Sequence, residues 1–278
     1  MFVSVIIPTF NRINFVPKAI ESVLKQSYKK YEIIIVDDGS GDGTQDYVRS
    51  NFPMVRLIFQ SNRGVSAARN TGILHSKGDW IAFLDSDDQW LPKKLEYQIN
   101  TLSGHKDYLV CHTNEIWIRN GLRINQKQKH QKYGGFIFEK SLDMCRISPS
   151  SILINRKVFN DVGNFDENLR ICEDYDLWLR IAAKYPIYFL EKALILKYGG
   201  HDGQLSKNLH GIEQYRIQSL EKILGSTDLN DGYYRAAVKM LLKKILIFKS
   251  GLAKRNKKVE YLTFQKKFDY WSQQGNQA

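Results

Sequence analysis

The chain has 278 residues, 43% hydrophobic and 25% charged, with a formal net charge of +12. That length and balance exclude a disordered or fibrous polypeptide and leave room for one large or two small globular domains. Three cysteines, Cys111, Cys145 and Cys172, are odd in number and widely spaced, which argues against a disulfide framework and a zinc cluster and fits a reducing compartment.

In chain order, residues 3–8 are a short continuous apolar run, which predicts a buried strand. They follow the start of the chain without the basic leader of a signal peptide. Val16, Ala19, Ile20, Val23 and Leu24 recur at helical spacing, predicting an amphipathic helix over 15–26. A second strand covers 31–36 and runs into Asp37-Asp38-Gly39-Ser40. Turn residues 41–44 follow, with Thr44 placed to cap a short helix reaching Val48. A strand over 55–59, a helix over 65–75 and a strand from Trp80 complete a β-α-β-α-β-α-β alternation, the pattern of a largely parallel sheet with helices on its faces. Further on, the pattern predicts a helix after Leu91-Pro92 to about Leu102, a strand over 108–118 and a turn at Asn120-Gly121. Residues 126–133 are polar and basic, and are expected to be mobile. A strand over 151–155, a short helix over 157–162, a helix over 174–184 and a strand over 187–196 follow; from Leu209 onward the pattern is helical. No apolar run reaches the roughly 18 residues of a membrane-spanning helix.

The charge is uneven. Residues 233–278 carry 11 Lys and Arg against 2 Asp and Glu, so +9 of the excess lies in the last 46 residues. There Tyr234, Val238, Leu241, Leu242, Ile245 and Phe248 form an apolar stripe with Lys239, Lys243 and Lys244 beside it. Such a stripe suits peripheral contact with an anionic membrane. The plain alternatives are a face packed on the rest of the protein or on a second subunit. No nucleic-acid signature accompanies the charge, so nucleic acid is not an expected partner.

The chemistry concentrates where the Trp80 strand ends. Trp80-Ile81-Ala82-Phe83-Leu84 stops at Asp85-Ser86-Asp87-Asp88, three carboxylates within four positions. Acids crowded at the open end of a buried strand repel one another unless a cation sits among them. Hard oxygen donors at that spacing suit Mg²⁺ or Mn²⁺, which take one or two carboxylates together with substrate phosphates. Ligands of such sheets bind beyond the carboxyl ends of the strands, so Asp37-Asp38 and Asp85-Asp87-Asp88 are expected to line one crevice.

Five segments in order, Ser4-Val5-Ile6-Ile7-Pro8-Thr9-Phe10-Asn11-Arg12, Val36-Asp37-Asp38-Gly39-Ser40, Asn62-Arg63-Gly64-Val65-Ser66-Ala67-Ala68-Arg69-Asn70, Phe83-Leu84-Asp85-Ser86-Asp87-Asp88 and Glu173-Asp174-Tyr175-Asp176-Leu177-Trp178, resemble the family 2 glycosyltransferases. The resemblance implies the α/β GT-A fold: a mostly parallel, Rossmann-like central sheet flanked by helices. It covers residues 1–206, taken as a catalytic domain with a nucleotide-sugar half (1–104) and an acceptor half (105–206); 207–278 is then a basic helical extension. It also implies a nucleotide diphosphate sugar donor, with UDP favoured. Pro8, Thr9, Asn11 and Asp38 would hold the nucleoside, a carboxylate matching a uracil N–H. Arg69 would lie near the donor phosphates, where a bidentate, permanently charged group helps. Asp85 and Ser86 would contact the donor, Asp87 and Asp85 the Mn²⁺ or Mg²⁺, and His201 would complete the metal shell or bond the phosphate. Asp174 is the expected general base, with Glu173 as the alternative, in an inverting displacement by an acceptor hydroxyl. Tyr175 and Trp178 would line the acceptor side or belong to the core.

The implied setting is synthesis of bacterial surface polysaccharide or glycoconjugate on a glycan or lipid-linked acceptor. The implied location is cytoplasmic, at the inner face of the plasma membrane, with the oligomeric state open. Two other classes compete: another metal-dependent nucleotide enzyme, which would want a Gly-rich phosphate loop that is absent here, and a non-catalytic sugar-nucleotide or carbohydrate-binding module, which would have no need of Asp87 and Asp174.

Overall fold

The computed structural model describes residues 1–200, 211–225 and 229–277. The first half alternates β1 (Val3–Thr9), α1 (Val16–Leu24), β2 (Tyr31–Asp37), α2 (Thr44–Asn51), β3 (Arg56–Phe59), α3 (Val65–His75) and β4 (Trp80–Phe83). Then come β5 (Gln89–Trp90), α4 (Lys94–Gly104), β6 (Val110–Arg119), β7 (Leu122–Ile124), α5 (Phe138–Ser141), β8 (Ile152–Asn155), α6 (Arg156–Val162), α7 (Glu173–Lys184) and β9 (Tyr188–Gly199). Three helices follow: α8 (Ile212–Leu224), α9 (Asp231–Lys254) and α10 (Lys258–Gln277).

The strands form one sheet in the order β3-β2-β1-β4-β8-β6-β9-β5, with β7 beside β6. The half made of β1 to β4 is parallel, as the crossover helices require. Beyond it β8 joins β4 antiparallel, so the whole sheet is mixed. Period-2 alternation divides the apolar residues between two faces. Val3, Val5, Ile7, Ile33, Ile35 and Ala82 pack under α1 and α4, whereas Ile6, Ile81 and Phe83 face α6 and α7. Gly78 enters β4 against β1 with no room for a side chain: a Cβ there would lie 2.6 Å from Ser4 N and 2.8 Å from Phe2 O.

Three expectations change in the structure. The stripe on α9 is spent internally. Val238, Leu241 and Ile245 are buried, and Tyr234, Leu242 and Phe248 pack against the same core as α5 and α7. Lys244 is buried with them, where its Nζ donates to Asp143 O (2.8 Å) and pairs with Glu213 (3.1 Å). The segment 126–133, expected to be mobile, is anchored at two points, although residues 127–129 and 131 are exposed. His130 packs on the Trp117 ring at 4.9 Å between centroids, and Lys132 is buried 3.2 Å from Glu115. Thr44 does not cap α2; Gly43, at φ 87°, precedes the helix, and the Thr44 hydroxyl donates to Asp42 and accepts from Arg12 N.

His112 on β6 is fully buried, its Nε2 2.8 Å from Tyr133 O and its Nδ1 without a partner. Burial and the nearby Lys132 push its pKa down from 6.5 to about 3. The unfolded chain therefore binds a proton that the folded chain refuses, and folding stability contributed by neutral His112 is lost as pH falls below 6.5 toward 3. In thermal melts from about pH 7 to about pH 5, the parent should lose stability progressively, and His112→Phe should show a flatter dependence. An unchanged slope in the variant would contradict this assignment.

Candidate active site

The site lies at the carboxyl ends of β1, β2 and β4. Thr9 and Asp37 are register partners there, and the Asp38 backbone N–H donates to Thr9 O (2.9 Å). Asp38 is buried, and its carboxylate accepts from Gln60 Nε2 (2.7 Å), Arg63 N (3.0 Å) and Gly64 N (2.8 Å). An ionised carboxylate accepts about four hydrogen bonds, so one position remains for a ligand donor. Thr9 Oγ1, Asp37 Oδ2 and Ser66 Oγ are buried without a hydrogen-bond partner. Buried polar atoms are normally satisfied, and such a group at one end of a sheet is a ready seat for a polar ligand. Gly39, at φ 87° and 3.0 Å from Asn62 N through any added Cβ, lets the Asp37-Asp38 turn meet the loop before α3. Pro8 is buried within β1 opposite Val36. Asn11, at φ 52°, builds the loop wall: its N–H donates to Ser40 Oγ and its Oδ1 accepts from Gly41 N, both 2.8 Å.

After β4 the acidic turn divides its labour. Asp88 is buried and braced, its Oδ1 accepting from Tyr198 N (3.1 Å) and its Oδ2 from Ser150 Oγ (2.7 Å). Ser150 Oγ in turn accepts from Asp85 N (3.1 Å). Burial raises the Asp88 carboxyl well above the usual carboxylate range. Ser86 is buried between the acids. Asp87 is partly exposed and lines a cleft of about 240 Å³ with Asn14, Lys18, Asn120 and Tyr198.

Arg69 does not present its guanidinium to the open site. It is 3% exposed, with Nη1 donating to Glu173 Oε1 (2.7 Å), Nη2 to Asp85 Oδ1 (2.8 Å) and its Cζ 5.1 Å from the centroid of the Phe165 ring. The first turn of α3 carries Ser66, Ala67 and Ala68, all buried, which seats this helix deep enough for Arg69 to reach both acids. Asn70, whose role the sequence did not reveal, fixes the Phe165 loop by exchanging hydrogen bonds with its backbone N and O.

On the other side of Arg69, the chain enters α7 through Cys172 in the left-handed region, φ 64°. A non-glycine residue there is strained, and such strain gathers at functional sites. Glu173, Asp174 and Asp176 occupy the first turn, where the helix dipole favours carboxylates. Glu173 is buried; burial and Asp174 push its carboxyl up to about 7 against the pull of Arg69. Asp174 is more open. Its Oδ1 accepts from Tyr175 N (2.7 Å), and its Oδ2 accepts from the Cys145 thiol (3.3 Å), a neighbour the sequence spacing of 29 concealed. Tyr175 and Trp178 belong to the core: the Tyr175 hydroxyl donates to Leu142 O and Trp178 Nε1 to Ile147 O. Also unforeseen is Glu115 on β6, which accepts from Ser148 Oγ (2.6 Å) and Trp117 Nε1 (2.7 Å) and pairs with Lys132. Burial alone would raise its carboxyl, but Lys197 and Lys132 hold it well below the usual range.

Arg69 takes Oδ1 of Asp85 and leaves Oδ2 for another partner. Together with Asp87 this donor set fits Mg²⁺ or Mn²⁺, which draws its remaining ligands from phosphate and water. Among the described residues no group of three His, Cys, Asp or Glu side chains could enclose a metal by itself. His201 lies outside the described residues.

Removing one partner of a buried ion pair leaves uncompensated charge. Arg69→Met should therefore lower unfolding free energy by about 3–5 kcal/mol in urea titrations, and Arg69→Lys, lacking the planar fork, should restore only part of it. A loss below about 1 kcal/mol in Arg69→Met would contradict the bridging role.

Residues 4–163 match the family described as glycosyl transferase family 2. The chain is 33% identical over 274 residues to an uncharacterized glycosyltransferase of Rickettsia typhi, covering 88% of this chain and 86% of that one. It is 34% identical over 210 residues to the Escherichia coli UDP-Glc:alpha-D-GlcNAc-diphosphoundecaprenol beta-1,3-glucosyltransferase WfgD, covering 74% and 80%. Among solved structures, S. aureus TarS 1-349 in complex with UDP-GlcNAc superposes with a TM-score of 0.76 over 96% of this chain and 80% of that one, at 20% identity, a likeness of fold. The match spans more than half of the chain and contains the acidic turn and its Arg69 partner, and the chain belongs to glycosyl transferase family 2, with the GT-A fold.

Proposed function

We propose that the chain transfers a sugar from a UDP-sugar to a hydroxyl of a glycan or lipid-linked acceptor, with inversion and with Mn²⁺ or Mg²⁺, in assembly of bacterial surface polysaccharide. The observation that carries this reading is the Arg69 bridge: it holds Asp85, on the donor side, against Glu173, next to Asp174 on the acceptor side. The names of two similar proteins support the substrate class, since WfgD is named for UDP-Glc and a diphosphoundecaprenol acceptor and the TarS structure holds UDP-GlcNAc.

In this reading Asp38 accepts the uracil N–H at its remaining position, and Thr9 offers its unpaired hydroxyl nearby, with Pro8 and Asn11 shaping the pocket. Asp87 and Asp85 would hold the divalent cation, which would supply Lewis-acid stabilisation of the departing diphosphate. Asp174 accepts the proton of the acceptor hydroxyl as its oxygen bonds to the anomeric carbon. The bond from that carbon to the diphosphate breaks on the opposite side, its electron pair leaving on the phosphate oxygen. One base and one displacement invert the anomeric centre. Glu173 has a carboxyl near 7, the range suited to a general base; its Oε1 is engaged by Arg69 and it is buried, which favours Asp174 for contact with an acceptor. We take residues 1–206 as catalytic and 207–278 as an extension that shares its core. The protein acts in the cytoplasm, where nucleotide sugars are made.

Calorimetry with UDP and Mn²⁺, run beside release of UDP from sugar donors, tests these roles. Asp87→Ala should weaken metal-dependent UDP binding about tenfold or more. Asp174→Asn should keep UDP binding within about twofold and slow transfer by about 10²–10⁴. Transfer at the parent rate by Asp174→Asn would overturn the base assignment and shift it to Glu173, which the Glu173→Gln variant would then reveal.

A further inference from the structure

We propose that the outer surface of the α9–α10 hairpin docks on a bilayer rich in anionic phospholipid. The inner faces of these helices are occupied: Phe248 packs on Phe264 with centroids 4.5 Å apart and rings tilted by 55°, Lys267 pairs with Glu221 on α8, and Trp271 Nε1 reaches the same carboxylate. The stripe legible in the sequence is thus unavailable. The outward faces nevertheless retain apolar side chains among cations. On α9, Lys239, Lys243, Leu246 and Ile247 share the exposed side, and the two apolar residues are 50% and 52% exposed. On α10, Val259, Leu262, Lys266 and Tyr270 recur at i, i+3, i+7 and i+11, one face of a helix, and Val259 and Leu262 are 77% and 61% exposed. The connection Lys254-Arg255-Asn256-Lys257-Lys258 places four exposed cations within five positions; the nearby acid is Glu260, 3.5 Å from Lys257.

Single exposed apolar residues are ordinary. Their recurrence along an exposed helix face, interleaved with lysines, is the chemistry of a helix lying in a lipid interface. The apolar chains enter the acyl boundary while the lysine stems lie along it and their ammonium groups reach the phosphates. Charge selects the occupant. A second copy would set one cationic surface against another. A zwitterionic bilayer would leave the cations without counter-charge, and a nucleic acid would leave Val259, Leu262, Leu246 and Ile247 in water. Docking goes beyond the catalytic reading, and rests on it only in the consequence that the active site is carried to a lipid-linked acceptor.

The full chain tests it in sedimentation with vesicles of phosphatidylglycerol and phosphatidylcholine, compared with phosphatidylcholine alone. The parent should pellet with the anionic vesicles and be released by salt. Lys254→Gln/Lys258→Gln should weaken partitioning about tenfold or more, since each cation near such a surface contributes about fivefold. Val259→Ser/Leu262→Ser should weaken it comparably. Both variants should hydrolyse soluble donor at the parent rate, so a failure of docking and a failure of the catalytic reading show up in separate assays. Equal binding to both vesicle types, or parent-like partitioning by either variant, would overturn the proposal. So would a dimer in sedimentation velocity that Val259→Ser/Leu262→Ser dissolves, or binding of duplex DNA in preference to anionic vesicles.

Discussion

The guanidinium of Arg69, held between Asp85 at the end of β4 and Glu173 at the start of α7, joins two carboxylates that the chain itself separates by many secondary-structure elements. A guanidinium buried this deep is costly unless it finds partners at close range. One hydrogen bond from each terminal nitrogen and the face of Phe165 meet most of that requirement, while Nε stays unpaired. The same arrangement fixes where the acidic turn ends and where the Glu173-Asp174 turn begins. Other devices serve it: small residues seat α3, Asn70 ties down the Phe165 loop, and Ser150 links Asp85 N to Asp88. The strained entry at Cys172 leads directly into the buried Glu173 and the more open Asp174.

Much of this was legible in the sequence because the first half is periodic. Helix spacing and short apolar runs placed β1 through β4 and α1 through α3 within a few residues of their observed bounds. Strand ends carried the acids, and the carboxyl end of a parallel sheet is where such acids can act. The partner of Arg69 was not legible. A phosphate and two carboxylates attract an arginine alike, and burial, which decides between them, emerges only from the fold. The bracing of Asp88 was hidden for the same reason. Asp88 is the most enclosed of its cluster, because two donors from β9 and the Ser150 turn converge on it. Cys145 beside Asp174, and Lys132 beside Glu115, are long-range pairs between segments with no shared pattern, and no local spacing announces them.

The C-terminal helices teach a related lesson about amphipathic patterns. A stripe of apolar residues flanked by lysines reads the same whether its target is lipid or the protein's own core. Here the core of α5 and α7 takes it, even enclosing Lys244, whose charge is met by Glu213 and the Asp143 carbonyl. Only after those residues are spent does the remaining outer face become visible. That face carries exposed lysines among its exposed apolar side chains.

A single base on one side of the sugar and a departing diphosphate on the other define the central claim, and the stereochemistry of the first product tests it most directly. Proton NMR of donor hydrolysis, recorded faster than mutarotation, reports the anomer that leaves the site. From an α-linked UDP-sugar accepted by the protein, the account predicts the β anomer first, decaying to the equilibrium mixture. Initial appearance of the α anomer would contradict it.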